Sequence, residues 1–562
     1  MTTIDQHPEA ATAAVDDTSR ESAVASFFVG VAEWVTTTDH KKIGRMFALS
    51  GLGLLLATAV LGAVLGAERA DEANALVDAD ALLQLFQAYR VGLVLAVAAP
   101  IGLGLALAVV PLQLGARSVA FPRLALTGFY SWLGGLTLAM VALGRNGGSG
   151  GGADQSVHMY LAGLGLAVLG LAAAAGCVAT SVLTTRAPGM TMRRVPLFAW
   201  SSLVGALGLL LMLPVVFAVV VLLFVDLRLG LALDGGNFGG SEGIGVWLSW
   251  AFSVPAVVVY SLPAVGVAAE MMPVAFRSRQ IARGVAFAGP ALVGVAALAA
   301  TTQQFVHDVE FDTTGEAFLR GAVPFALFAG LPLLGVTITL LVGLAGARSV
   351  AGRPSVSAPF VAGLFGLLMI GAGIAGGALL GVVDLGLADP VAKTATVFEE
   401  GATLYLVYGS VLAVLGGLTF WSPKLSGRTL ADRKVLPLVG LGLVATILAS
   451  LPLYVAGFLD QAGGVPGADA DVAALLSIGA VDGGSLWTVL SLVGHALMLL
   501  TVVAFLGLLA TAPAVTAEAD PYGGHTVEWT TSSPAPRTNF AHVPTVRSAE
   551  PRLDQIQEGS PS

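Results

Sequence analysis

The chain has 562 residues, a single cysteine, Cys177, and only 11% charged residues. One thiol inside an apolar run excludes disulfides and thiolate metal clusters. A soluble protein carries about a quarter charged residues, so a soluble enzyme is excluded. Lysine is absent from Ile43 through Ala392. Histidine is scarce as well, at seven residues. Of these, His7, His40, His307, His525 and His542 fall outside the long apolar runs, and only His158 and His495 lie within or at the edge of one. A heme with two axial imidazoles, or a copper with three, needs several histidines converging from helix interiors. Two are too few, and an isolated histidine in a bundle is ordinarily a hydrogen-bonded core residue.

What the chain has is apolar length. With 56% hydrophobic residues and a mean hydropathy of +0.84, it reads as an all-α polytopic membrane protein. The 71 glycines suit helices that approach one another closely. A bilayer needs about 20 apolar residues per span. Such runs occur near 43–66, 84–112, 124–143, 157–183, 197–226, 245–272, 282–301, 319–346, 358–384, 398–422, 435–459 and 485–511. The expectation is therefore twelve transmembrane helices.

Alternate connections are basic, carrying Lys41, Lys42 and Arg45; Arg117 and Arg123; Arg186, Arg193 and Arg194; Arg277, Arg279 and Arg283; Arg348 and Arg353; Lys424, Arg428, Arg433 and Lys434. The others are glycine-rich or acidic, as in AERADEANALVDAD and GRNGGSGGGADQS. This positive-inside alternation predicts a multi-pass protein of a bacterial-type cell membrane with both termini in the cytoplasm. Residues 1–33 read as a disordered cytoplasmic segment without a signal-peptide pattern. Residues 34–512 form the membrane domain, and 513–562 read as an extended cytoplasmic tail. Membrane lipid is the expected partner, and nucleic acid is not.

Polar residues inside spans are the functional suspects. They are few. Glu270 ends the sixth run, Glu399 and Glu400 begin the tenth, and Asp384 ends the ninth. Charges at span ends are expected to snorkel to the interface. The sixth run, Ile244–Glu270, carries Pro255 and Pro263, where a helix loses backbone hydrogen bonds. Such breaks mark either a site or a kink for packing.

Several stretches resemble subunit I of the heme-copper oxidases, specifically the aa3-type cytochrome c oxidases. They are WVTTTDHKKIG (Trp34–Gly44), VVPLQLGARSVAFPRL (Val109–Leu124), RAPGMTMRRVPLFAW (Arg186–Trp200), WAFSVPAVVVYSLPAVGVAAEMMPV, FWSPKLSGR (Phe420–Arg428) and DPYGGHTVEWTTSSPAPRTNF (Asp520–Phe540). They run in family order, and the resemblance implies a subunit I-like bundle of twelve helices.

The resemblance also implies where ligands would stand. The low-spin heme ligand of the second helix is replaced by Tyr89. The sixth helix keeps Pro255 but has Val254 for the copper ligand, Ala256 for the proton-relay glutamate and Val258 for the cross-linked tyrosine. The remaining copper pair aligns with Gln303 and Gln304, and the two heme histidines of the tenth helix align with Gly401 and Thr403. Around them, Ser118 replaces a proton-channel aspartate, Lys393 and Thr394 the magnesium His-Asp pair, and Asp460 and Gln461 the propionate arginines. Where the family holds two hemes, copper and magnesium, the expectation for this chain is no cofactor. The resulting picture is a non-catalytic relative with a structural or assembly role in a respiratory membrane, beside other oxidase-type subunits. One alternative is a working cytochrome c oxidase subunit I with unrecognised ligands. A second is a small-molecule transporter or binder using the heme cavity, marked by a polar cavity near Tyr89, Gln303, Gln304 and Thr403.

Overall fold

The computed structural model describes residues 30–70, 77–149, 154–229, 243–302, 322–349, 354–384, 396–459, 461, 483–516 and 520–558. The expectations for Gln303, Gln304, His307, Lys393, Thr394 and Asp460, and for residues 1–29, lie outside these. Among the described residues there is no strand, only an isolated bridge between Arg428 and Ala514.

The helices follow the apolar runs. In chain order they are α1 (His40–Glu68), α2 (Ala81–Gln113), α3 (Pro122–Leu143), α4 (Asp154–Thr184) and α5 (Leu197–Leu229). Helix α6 is a pair, Val254–Tyr260 and Leu262–Ala275, bent by 49°, and α7 is the shorter apolar helix Arg283–Leu298. Then come α8 (Ala322–Arg348), α9 (Ala358–Leu380), α10 (Val397–Ser426), α11 (Asp432–Phe458) and α12 (Ser485–Thr511). Ten of these are each long and apolar enough to cross a membrane, and α6 is an eleventh if its two halves are one span. Helix α7 lies in the seventh expected run, 282–301, and is shorter than a full span.

Local chemistry sets the ends. The Asp39 carboxylate accepts from the Lys41 amide at 3.0 Å and starts α1. Thr396 Oγ1 accepts from the Phe398 amide and starts α10, which stops at Gly427 with φ 65°, a left-handed conformation suited to glycine. Two serine hydroxyls flank the α6 bend. Pro263 supplies no amide, and the hydroxyl of Ser201 on α5 donates to Leu262 O at 2.5 Å, while Ser261 Oγ donates to Val258 O at 2.7 Å. Helix α2 contains a wider π segment, Gly92–Ala98, and Trp132 Nε1 on α3 donates to Leu95 O within it at 2.8 Å.

Sequential helices pack as neighbours, and α12 returns to pack on α1. The most apolar stretches of α2 and α10 are 100% buried within the chain, against 39% for α3 and α12, so α2 and α10 are central and the others turn one side to lipid. Helix α6 lies with them, its residues from Leu262 to Ala275 all buried. Close approach depends on glycine at the α1–α2 crossing. A Cβ on Gly104 would stand 2.5 Å from Ala48 N and 2.6 Å from Gly44 O.

The segment from Asp520 to Glu558 has little regular structure beyond a turn of 3-10 helix (Val527–Thr530) and α13 (Pro551–Glu558). It lies across the bundle end that carries the basic connections. Asn539 is fully buried and joins three elements: its Oδ1 accepts from Lys41 Nζ at 3.1 Å and bonds His40 Nε2 at 3.0 Å, and its Nδ2 donates to Ala116 O at 2.8 Å. Further along, Val546 N donates to Pro188 O at 2.9 Å, Glu550 accepts from Gln280 N at 2.8 Å, and Ala535 N donates to Lys424 O at 3.0 Å. One strap thus reaches five basic connections, which places them on one face.

Candidate functional site

The three central helices are also those to which the resemblance assigns most ligands. Tyr89, one turn before the α2 π segment, is 1% exposed. Its Oη lies 3.3 Å from Nε2 of His495 on α12, and Nδ1 of His495 lies 2.7 Å from Oη of Tyr408 on α10. One imidazole therefore bridges two phenols, with both rings edge-on to it at centroid separations of 5.9 and 5.8 Å. Gly62 of α1 makes room: a Cβ there would meet both the His495 and Tyr89 rings at 2.8 Å. His495 is thus a satisfied core histidine joining four helices. His158 bonds Asp154 O of its own helix.

The other positions diverge. Thr403 shares with Tyr89 a narrow cleft of about 20 Å³, whose polar wall also holds Arg90, Thr396, Glu399 and Glu400. Gly401 faces α11 instead, where a Cβ would lie 2.8 Å from Ser450 O. Val254 packs on α9, with its Cγ1 2.5 Å from a Cβ built on Gly377. Ala256 and Val258 are 3% and 0% exposed in the apolar core. The structure therefore brings together Tyr89 and Thr403 but not Gly401 or Val254.

Glu400 does not snorkel. It accepts a two-pronged pair from Arg69 at 3.2 and 2.7 Å, and Arg69 is 2% exposed with its guanidinium 5.0 Å above the Phe86 ring. Water would compete for an interfacial carboxylate, so a partner that buries it changes the outcome. Arg90 lies 3.8 Å from Glu399. Arg69, Tyr408 and the His495 bridge were not singled out from sequence. Charge complementarity between Arg69 and Glu400, 331 positions apart, has no local signature.

The family described as Cytochrome C and Quinol oxidase polypeptide I matches residues 42–530. The chain belongs to the heme-copper oxidase subunit I family. It is 30% identical over 557 residues to a putative cytochrome c oxidase subunit 1-beta of Streptomyces avermitilis, covering 93% of this chain and 92% of that one. It is 26% identical over 545 residues to cytochrome c oxidase subunit 1 of Bacillus subtilis, covering 94% and 84%. Among solved structures, a heme-copper terminal oxidase dimer matches with a TM-score of 0.60 and 16% identity over 92% of this chain and 89% of that one, which supports the shared fold.

Membership overturns the expectation of no cofactor, since subunit I of this family binds hemes and copper. What can be tested is whether the residues present fit those groups. Glycine at 401 offers no side chain, Val254 and Val258 offer no lone pair, and the Tyr89 hydroxyl already bonds His495. No group of three or more histidine, cysteine, aspartate or glutamate side chains converges among the described residues. This donor set does not fit the family's heme and copper ligation at the positions the resemblance assigns.

Proposed function

We propose that this oxidase subunit I relative does not itself reduce oxygen and serves a structural or assembly role in a respiratory membrane. The observation that carries this reading is the replacement of imidazoles by Tyr89, Val254, Gly401 and Thr403 on the central helices, with Tyr89 held by His495. Oxygen chemistry in the family's manner needs iron and copper held by strong nitrogen donors, and these side chains supply none. Gln303 and Gln304, at the remaining copper positions, are poor substitutes for neutral imidazole. The retained scaffold gives the chain a surface for other oxidase-type subunits and for membrane lipid. Both termini lie in the cytoplasm in this reading, because the strap and the basic connections share one face and basic loops are retained inside.

Affinity purification from the native membrane, with heme and metal analysis of the same sample, tests this reading. Co-purified oxidase subunits without a bis-imidazole low-spin heme in this chain are expected. Oxygen consumption by the isolated chain overturns the proposal. A second reading, a small-molecule binder, is favoured by the polar cleft between Tyr89 and Thr403. A ligand that protects the protein thermally, and no longer does so in Thr403→Leu, would support it.

A further inference from the structure

Where the strap crosses the bundle end, one carboxyl group is held in an unusual way. Glu528 is fully buried. Its Oε1 accepts from Thr526 Oγ1 at 2.8 Å, from Trp421 Nε1 of α10 at 3.0 Å and from Gln113 Nε2 of α2 at 3.3 Å. Its Oε2 has no partner, and neither does Oε1 of Gln113, the amide that already donates to it. Two adjacent side chains thus present one satisfied pair and two orphaned acceptor oxygens in a buried site. Leaving an acceptor unpaired there costs about 1–3 kcal/mol. Rotating the amide would turn its nitrogen toward Oε2 but set its oxygen against Oε1, so the amide oxygen stays unpaired.

A single proton resolves both deficits. We propose that Glu528 is a neutral carboxylic acid whose Oε2–H donates to Gln113 Oε1, closing an acid–amide ring that fastens the C-terminal strap to α2 and α10. The proton comes from solvent when the strap docks and returns to solvent when it opens. Among the charged groups around it, Glu270 of α6 repels a charge on Glu528, and Lys424 of α10 attracts one. Lys424 is itself directed to the strap backbone at Thr531 O and lies over the Trp529 ring at 5.1 Å. On the strap, His525 and Asp520 flank the site, and the Asp520 carboxylate is taken up by the Gly523 and Gly524 amides. Burial also pushes the Glu528 carboxyl above the usual range, against the four donors that favour its charged form: Trp421, Thr526, its own backbone amide and Gln113. The strap is therefore a catch that closes with a proton and loosens as that proton is lost. The inference is independent of whether the chain reduces oxygen.

Infrared spectra of the purified full-length protein in detergent, wild type against Glu528→Gln, test it. The wild type at neutral pH is expected to show a protonated-carboxyl carbonyl band that Glu528→Gln lacks, because the amide reproduces the neutral ring. Trypsin cleavage at Arg537, Arg547 and Arg552 supplies a second readout. In the wild type it accelerates by up to about tenfold per pH unit between the ordinary carboxylate value and the elevated value of the docked Glu528, and levels off above it, as expected for release of one proton on opening. In Glu528→Gln this acceleration is lost. If that variant does not accumulate, titrating the band in the wild type alone decides the matter. An ionised Glu528 at neutral pH, as when a water bridges the two oxygens, overturns the proposal. So does an unchanged pH profile in Glu528→Gln.

Discussion

The two ends of the bundle differ in what their polar groups do. At the basic end, polar side chains tie distant parts of the chain together: Asn539 alone joins the start of α1, the α2–α3 connection and the strap. In the central region, where the resemblance places the ligands, polar groups are fewer and satisfy one another, as in the Tyr89–His495–Tyr408 bridge and the Arg69–Glu400 pair. The stretches that resemble the family most, such as Arg186–Trp200 and Asp520–Phe540, belong to the first region. The replaced ligand positions belong to the second. In the proposed reading the architecture and the metal chemistry are separable: the basic end keeps the fold's hydrogen-bonded frame while the central helices pack around different side chains.

The largest effect that tests this contrast falls on Arg69. Arg69→Ala leaves Glu400 charged and buried without its partner, a loss of about 3–5 kcal/mol. The double change Arg69→Met with Glu400→Leu is expected to recover most of it, measured as thermal unfolding in detergent. If the single change is silent, the pair is not a structural element of the central region. At the basic end, Asn539→Ala removes partners from His40, Lys41 and Ala116 O together and is expected to cost about 3 kcal/mol. Its distinguishing sign is faster proteolysis of the strap, which Arg69→Ala leaves unchanged.

His495→Leu strands the hydroxyls of Tyr89 and Tyr408 and is expected to cost about 2 kcal/mol, whereas Tyr89→Phe, which removes the longer of the two bonds, costs less than about 1 kcal/mol. Equal losses would mean that the bridge is not organised around the imidazole.

The smallest effect is a pH dependence confined to the strap. Burial holds Glu528 and Glu550 above the ordinary carboxylate value, so docking gains from their protonation. That gain is complete below about pH 4.3 and is lost as pH rises through the elevated values. His525 works in the opposite sense. Burial pushes it down to about 4, so the docked strap holds it neutral, and its contribution is present above 6.5 and lost as pH falls toward about 4. Protease resistance of the strap is therefore expected to fall on both sides of an intermediate window, with His525→Asn removing the acid limb alone. Unfolding of the central helices should not follow this profile.

Much of the fold was legible in the sequence. Apolar length gave each membrane helix its place, and Pro263 stands just after the 49° bend of α6, where Ser201 and Ser261 bond nearby carbonyls. Less of the central region was legible. His495 stood out as an intramembrane histidine, but its partners lie on helices far away in sequence, and only packing brings Tyr89 and Tyr408 to its two nitrogens. The π segment of α2 has no signal in hydropathy, since it alters hydrogen-bond register without altering composition. For the strap, composition suggested an extended segment and could not disclose that Glu528 and Asn539 are fully buried in it. The expectation of no cofactor failed for a different reason: the side chains at six positions report on those positions, whereas cofactor content is a property that the family carries as a whole.

The proposal that stands at the centre of this contrast is that the chain does not itself reduce oxygen. Oxygen uptake by the purified chain with reduced cytochrome c, recorded with its reduced-minus-oxidised spectrum, tests it most directly. No uptake above a membrane control is expected. Uptake above that control by this chain would contradict it.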